Sequence, residues 1–138
     1  VSAASRACPE RAVPTIVTGD LNDESQDDSV KHLLANGLMD TLGDLPIEKR
    51  WTIPYFNPAT MRMQYQGFDH LLVTRDLQDG QGIEWVSSEV VRPSFMFVTK
   101  KIAGFDRLWL NDDEDDKIGY SDHLPVKGVF RVVRDPIP

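Results

Sequence analysis

Three short polar segments lie where predicted strands meet loops, and each carries side chains able to do chemistry. The first is residues 19–22, Gly-Asp-Leu-Asn, which directly follow the apolar run at residues 15–18. The second is the pair Asp-His at residues 69–70, and the third is Ser-Asp-His at residues 121–123. Catalytic groups often occupy such places because a rigid strand fixes their geometry. The sequence therefore offers carboxylates, an amide and imidazoles for a shared site.

Hydrolysis of a phosphate ester would use these residue types. A water must be oriented or deprotonated, the phosphoryl charge stabilised and the leaving oxygen neutralised. Asp20 could act on the water, and Asn22 could donate a hydrogen bond to a phosphoryl oxygen without adding negative charge. Asp122 could bind a hard metal through oxygen. His123 could contact the phosphate, and Asp69 behind it would fix the ring orientation. We therefore predict a hydrogen bond between Asp69 and a ring nitrogen of His123.

Each segment also has a simpler interpretation. Asp and Asn after a strand are typical of a turn, because their side chains bond nearby backbone groups. The segment at 121–123 could be a loop with a turn of the same kind. Asp69 is harder to explain in this way, since a carboxylate inside an apolar strand needs a partner.

Taken together, the segments resemble three ordered signatures of the endonuclease/exonuclease/phosphatase superfamily, whose members include DNase I-like nucleases. The resemblance lies in residues 17–23, 67–73 and 120–126, with their flanking apolar strands, and it spans about residues 10–132. It implies an α+β fold equal to half of a DNase I-like four-layer α/β sandwich. This chain would supply one mixed, mainly antiparallel sheet with flanking helices.

The same resemblance implies roles for single residues. Asp20, Asn22, Asp69 and His123 correspond to catalytic positions, and Asp122 corresponds to a metal ligand. Asp20 and Asn22 are further candidate metal ligands, and the implied cofactor is Mg²⁺ or Mn²⁺. The family tolerates other residues in place of His70, so the resemblance gives that histidine no catalytic role.

The family's N-terminal half has no counterpart here. That half supplies an early Asn, the Glu that is the principal metal ligand and another His. We therefore interpret residues 1–138 as a single partial domain, with residues 2–8 as the end of a helix that began upstream. Its partner would be the missing half, or a second copy meeting the same open face. Two functions follow: a phosphoesterase in the parent protein, with the isolated chain inactive, or an inactive fragment with a binding or structural role.

Composition narrows the class of protein but not the substrate. The 138 residues carry a net charge of −7 and are 41% hydrophobic, which suits one packed domain. No apolar run approaches the roughly 18 residues of a membrane span. Cys8 is the only cysteine, so no disulfide within the chain and no Cys-based zinc site is possible. Nucleic acid, sugar phosphate, phosphoinositide and lipid phosphodiester substrates all stay open, and the sequence does not indicate a cellular location.

Hydrophobic patterning predicts where the elements lie. A helix is expected at 25–37, and strands at 15–18, 38–42, 67–74, 83–91 and 126–133. A short strand at 51–53 should end at Pro54, followed by a loop or irregular hairpin at 54–66. Residues 43–50 and the acidic segment 111–116 are predicted loops. Trp51 and Trp85 are predicted core residues. The basic side chains that could meet a polyanionic substrate are Arg92, Lys100, Lys101 and Arg107.

Overall fold

The computed structural model describes residues 13–111 and 121–134. The predicted helix end at 2–8 and residues 112–116 of the acidic segment lie outside these ranges. No helix among the described residues is long and apolar enough to cross a membrane. The strands are β1 (Ile16–Asp20), β2 (Leu38–Asp40), β3 (Ile53–Asn57), β4 (Arg62–Gln66), β5 (Asp69–Thr74), β6 (Gly82–Val90), β7 (Phe97–Ile102), β8 (Phe105–Leu110) and β9 (Val126–Val133), and the helices are α1 (Asp28–Ala35) and α2 (Ile47–Arg50).

Every described strand pair is antiparallel. β5 lies between β1 and β2 in a three-stranded sheet, and the other pairs are β3 with β4, β6 with β9, and β7 with β8. The molecule is thus mostly strand with few helices, which confirms the broad α+β class. The strands form four hydrogen-bonded sets, however, in place of the single sheet that was predicted. Two of these pairs, β3 with β4 and β7 with β8, are hairpins of consecutive strands, and the other three join strands that are distant in the chain.

Strand β5 is the most buried strand, and its two faces have different surroundings. Leu71 and Val73 lie on one face, in a core cluster with Leu77, and Trp85 and Phe130 pack against that cluster. Asp69 shares this face because side chains alternate along a strand, whereas His70 and Leu72 lie on the other. β9 approaches β5 so closely that a Cβ added at residue 128 would lie 2.6 Å from Leu71 Cδ1, which accounts for the glycine there.

A second cluster joins the loop before β9 to the rest of the molecule. Its buried members come from separate parts of the chain: Leu42, Val90, Met96, Leu110 and Leu124. Trp51 is partly buried against this cluster, just as Trp85 is against the first. Both tryptophans therefore contribute to the core, as predicted.

Four element predictions need correction. β3 runs through Pro54, because among residues 13–111 and 121–134 β3 pairs with β4 alone, and a strand unpaired on one side tolerates a missing N–H. Residues 62–66 are a regular strand of that hairpin. α1 begins at Asp28 rather than at 25, since the Glu24 N–H bonds the Asp27 carboxylate in a turn before the helix. The predicted loop at 43–50 contains the helix α2, and the hairpin of β7 and β8 had no predicted counterpart.

Candidate active site

The end of β1 places Asp20 and Asn22 together. The Asn22 N–H donates to Asp20 Oδ1 at 2.8 Å, which closes a tight turn directly after the strand. Asn22 has a φ of 55°, a left-handed conformation that Asn adopts more readily than most residues. Both residues are exposed. Asp20 and Asn22 therefore form a turn after β1, which is the simpler interpretation of this segment. The turn also leaves both side chains accessible to a substrate.

Asp69 is brought to Asp20 by strand register. The two residues are direct partners across β1 and β5, so their side chains share one face of the sheet. The Leu21 N–H continues the pairing by donating to the Phe68 carbonyl at 2.9 Å. Two carboxylates that are 49 positions apart in the chain thus meet at one end of the three-stranded sheet.

His123 completes the group through the predicted contact. Its Nδ1 lies 2.6 Å from Asp69 Oδ2, which confirms the expected hydrogen bond. A carboxylate accepts, so Nδ1 donates and Nε2 is the ring nitrogen left for another partner. Both side chains are 19% exposed. The His123 N–H also donates to Ser121 Oγ at 3.0 Å, which helps fix the loop.

Thr52 supports both members of this pair, although no sequence pattern marks it as a residue of the site. It is fully buried, and its hydroxyl accepts from the N–H groups of Phe68 and Asp69 at 3.2 and 3.3 Å. Its carbonyl accepts from the Leu124 N–H at 2.8 Å, one residue after His123. One threonine therefore holds the backbone beside Asp69 and beside His123. Together with its neighbours Trp51 and Ile53, Thr52 has the local pattern of a short strand. That pattern does not indicate hydrogen bonds to the backbone beside Asp69 and His123.

A second buried pair lies on the opposite face of β5. His70 Nδ1 is 3.1 Å from Asp40 Oδ2, and their side chains are 3% and 5% exposed. Burial by itself lowers the pKa of His70. Its hydrogen bonds to Asp40 and to the Asp23 carbonyl, with the charges of Asp40 and Asp69, outweigh burial and raise that pKa above its ordinary 6.5. These contacts therefore favour the charged form of the imidazole over the neutral form.

The carboxylate of this pair shows the opposite shift. Burial raises the pKa of Asp40, but three hydrogen bonds outweigh it and bring the pKa below the ordinary 3.8. The donors are His70, Ser25 Oγ and the Leu42 N–H, and the charge of His70 adds to their effect. No sequence pattern marks Asp40 as a site residue, because it occupies an ordinary position at the end of the short strand β2.

The remaining predicted residues make no hydrogen bond that ties them to the group of Asp20, Asp69 and His123 within the part of the chain that the structure describes. Asp122 is exposed and lies beside the group by being next to His123 in the chain. Of the basic residues, Arg92 lies 4.2 Å over the Trp51 ring and donates to the Trp51 carbonyl. Lys101 pairs with Asp106 on the hairpin of β7 and β8. Arg107 lies 5.4 Å from the Phe105 ring centroid on the same hairpin, so Arg92, Lys101 and Arg107 all have structural partners.

A cleft of about 590 Å³ opens beside Asn22. One wall is the loop at 22–27, and the other is formed by β4 and Phe68 with Ile47 from α2. Three of its lining residues are acidic and none is basic: Asp23, Glu24 and Asp27. The cleft is large enough for a small organic group next to the residues that could act on a phosphate.

The candidate metal ligands near Asp20 supply only part of a site for a divalent metal. Within residues 13–111 and 121–134, no group of three or more His, Cys, Asp or Glu side chains is placed to hold an ion. Asp20 and Asp122 supply oxygen, which Mg²⁺ prefers, but such ions take about six ligands. The described residues therefore do not form a complete metal site by themselves, and we derive no chemical step through a metal.

No family model, no curated protein and no solved structure matches the chain.

Proposed function

We propose that this chain supplies the C-terminal part of an active site that hydrolyses a phosphate ester or phosphodiester. One observation carries the proposal: the 2.6 Å hydrogen bond between His123 Nδ1 and Asp69 Oδ2, formed across 54 positions of sequence. An imidazole oriented by a carboxylate is a recurring arrangement in catalytic sites. Here it lies next to Asp20, the strand partner of Asp69, and to the Asn22 turn.

Each residue has a distinct part in this proposal. His123 contacts a phosphoryl oxygen through Nε2, and Asp69 fixes the ring. Asp20 orients or deprotonates the attacking water, and the Asn22 side-chain amide N–H donates to a phosphoryl oxygen, where negative charge develops. Preorganised donors of this kind stabilise the transition state because they need no rearrangement during the reaction. The exposed Asp20 and Asn22 face a substrate more readily than the half-buried pair.

The proposed cofactor is Mg²⁺ or Mn²⁺. When bound, such an ion lowers the pKa of a water or stabilises charge on the leaving oxygen. Asp122 would be a ligand, with Asp20 and Asn22 as further oxygen ligands. The other ligands would come from the missing N-terminal half of the domain, which we propose as the partner of this chain.

A second function is favoured by one specific observation. Because the described residues contain no group of three metal-binding side chains, the chain alone would serve as a binding or structural module. The two functions differ in turnover. A module would keep the fold and the His123–Asp69 pair without hydrolysing phosphate esters under any metal condition.

An assay of two proteins separates these functions. We would measure hydrolysis of bis(4-nitrophenyl) phosphate and 4-nitrophenyl phosphate, with Mg²⁺, Mn²⁺ or EDTA. The proteins are residues 1–138 alone and the full-length protein that contains them. We expect metal-dependent turnover in the full-length protein only. No turnover in either protein would support the module.

Matched variants connect the turnover to this site. Asp69→Asn should remove most of the activity of the full-length protein, because the amide cannot accept from His123 as a carboxylate does. Asp106→Asn is the control, since Asp106 is an exposed carboxylate whose partner is Lys101. Equal activity in the two variants would contradict the proposed site.

A further inference from the structure

The buried pair of His70 and Asp40 does more than pack between strands. His70 Nε2 is 2.8 Å from the Asp23 carbonyl, so that nitrogen donates to the loop that follows β1. Its other nitrogen, Nδ1, donates to Asp40 Oδ2 on β2. Both ring protons are thus used, and the ring bridges two separate segments of the chain.

The loop after β1 contains the Asn22 turn, and it makes two hydrogen bonds to the His70–Asp40 pair. Besides the bond at the Asp23 carbonyl, Ser25 Oγ donates to Asp40 Oδ2 at 2.7 Å. Asp40 Oδ1 accepts from the Leu42 N–H at 3.0 Å, which anchors the carboxylate to the turn after β2. The Leu21 N–H makes the last hydrogen bond that continues the pairing of β1 with β5. Residues after Leu21 are therefore held by the His70–Asp40 pair.

We propose that His70 and Asp40 are positioning residues that fix residues 21–25, and thereby Asn22, beside the His123–Asp69 pair. The inference rests on the proposed function for its catalytic consequence. The tether acts from the far side of the sheet: His70 and Asp69 are neighbours in β5 and lie on opposite faces. His70 itself stays away from the substrate, since both its nitrogens are bonded and it is 3% exposed.

Two substitutions of His70 separate the two ring nitrogens. The side-chain nitrogen of Asn lies two bonds from Cβ, as Nδ1 does, and that of Gln lies three bonds away, as Nε2 does. His70→Asn therefore keeps a donor for Asp40 and loses the bond to Asp23. His70→Gln keeps the bond to Asp23 and loses the one to Asp40. Both variants remove the charge, so a role in charge balance alone predicts no advantage for Gln.

Hydrogen–deuterium exchange of the full-length protein measures the tether directly. The Asn22 and Glu24 amides are hydrogen-bonded within the loop, to Asp20 and Asp27, so their exchange reports its order. We expect His70→Asn to speed exchange at these amides by about tenfold or more, and His70→Gln by much less. The same substitutions at His32, an exposed histidine on α1, should change neither. Equal exchange in the two His70 variants would overturn the proposal.

Steady-state kinetics on bis(4-nitrophenyl) phosphate with Mg²⁺ measure the consequence. Misplacing a catalytic group by about 1 Å costs up to roughly 100-fold in rate, so we expect His70→Asn to lower kcat by about 10- to 100-fold. KM should change by less than about twofold, because Asn22 acts on the transition state rather than on substrate binding. His70→Gln should keep kcat within about threefold of the parent. An unchanged kcat in folded His70→Asn would refute the positioning role.

The two readouts keep this inference separate from the proposed function. If the parent protein shows no turnover with any metal, the phosphoesterase proposal fails, and exchange alone still decides whether the tether exists. If neither His70 variant folds, Ser25→Ala decides, because it removes one loop bond and leaves the His70–Asp40 pair intact. Faster exchange at Asn22 in Ser25→Ala would support the tether, and unchanged exchange would overturn it.

Discussion

The two histidines at the three-stranded sheet differ in how many ring nitrogens are already bonded. His123 donates Nδ1–H to Asp69 and is 19% exposed, which leaves Nε2 for a ligand. His70 uses both nitrogens and is 3% exposed. A substrate can therefore reach the first ring and not the second. This difference in bonding supports a contact role for His123 and a positioning role for His70.

At the scale of single residues, we predict that His123→Ala lowers kcat of the full-length protein by roughly 100- to 1,000-fold, since it removes one transition-state contact. Asp122→Ala should cause a similar loss. Stability should change little, because Asp122 is exposed and both residues lie in the loop before β9. Kinetics and thermal unfolding of each variant check this expectation. His32→Ala is the control, and near-normal turnover in His123→Ala would remove it from the site.

A second prediction concerns the pH dependence of stability. The pKa of His70 is raised on folding, so its contribution is fully present below pH 6.5 and is lost as pH rises through the folded-state pKa. The pKa of Asp40 is lowered, so its contribution is present above pH 3.8 and is lost as pH falls through the folded-state pKa. The pair thus stabilises the fold most between these two ordinary values.

Urea unfolding of the parent protein and of His70→Gln, from pH 5 to pH 9, measures this contribution. Breaking a buried ion pair costs roughly 3–5 kcal/mol, so the parent should be more stable by about that amount at pH 5. The difference should narrow as pH rises, because the parent loses the charge on His70. The remaining ionisable groups near the ring, Asp69 and Asp23, are common to both proteins. A difference that stays constant with pH would show that folding does not raise the pKa of His70, and one that widens as pH rises would show that folding lowers it.

At the scale of elements, the candidate site depends on the segment just before β3. Thr52 bonds the start of β5 through its hydroxyl and the loop before β9 through its carbonyl. These two elements carry Asp69 and His123. Since the residue is fully buried, no water can replace the hydroxyl as an acceptor. The geometry of the pair is therefore coupled to a segment that contributes no catalytic side chain.

We predict that Thr52→Val destabilises the protein by about 2 kcal/mol, because two backbone N–H groups lose a buried acceptor while the shape is kept. It should also lower kcat, since Asp69 is then held less firmly against His123. Thr52→Ser keeps the hydroxyl and is the matched control, so its kcat should stay near that of the parent. Urea unfolding and steady-state kinetics give the two values. Equal kcat in the Val and Ser variants would show that the hydroxyl does not position Asp69.

At the scale of the whole molecule, several apolar side chains remain on the surface of the β6–β9 pair. Ile83 and Val132 are 50% and 72% exposed, and they are direct partners across the two strands. Val86 and Val129 on the same strands are 49% and 38% exposed. Exposed apolar side chains such as the Ile83–Val132 pair favour association. The surface agrees with the expectation that residues 1–138 need a covering partner, either the proposed N-terminal half or a second copy.

We therefore predict that residues 1–138, when purified alone, self-associate. The double substitution Ile83→Thr and Val132→Thr should weaken association by about tenfold or more, because it removes apolar area while keeping residues suited to strands. Sedimentation velocity over a range of concentrations measures the change. Leu108→Thr on β8, where Leu108 is 53% exposed, is the control. A stable monomer of the unaltered chain with metal-dependent turnover would contradict both this prediction and the split site.

The sequence by itself determined the strands whose pattern is local. Runs of apolar and β-branched residues predicted β1, β5 and β9, because burial of such runs favours extended structure regardless of what lies across from them. The contact between Asp69 and His123 also followed from the sequence: a carboxylate in an apolar strand needs a partner, and the resemblance indicated which residue that is.

Only the tertiary structure decided the contacts of Thr52, Asp40 and His70, and the path of β3 through Pro54. Asp40 meets His70 across 30 positions, and Thr52 meets Asp69 across 17. No local pattern marks such residues, because a hydroxyl or carboxylate has the same short-range preferences whether or not a distant strand supplies its partner. Pro54 is tolerated for a similar reason: its missing N–H matters only where a neighbouring strand would accept it. Pairing across the fold, rather than propensity along the chain, places these groups.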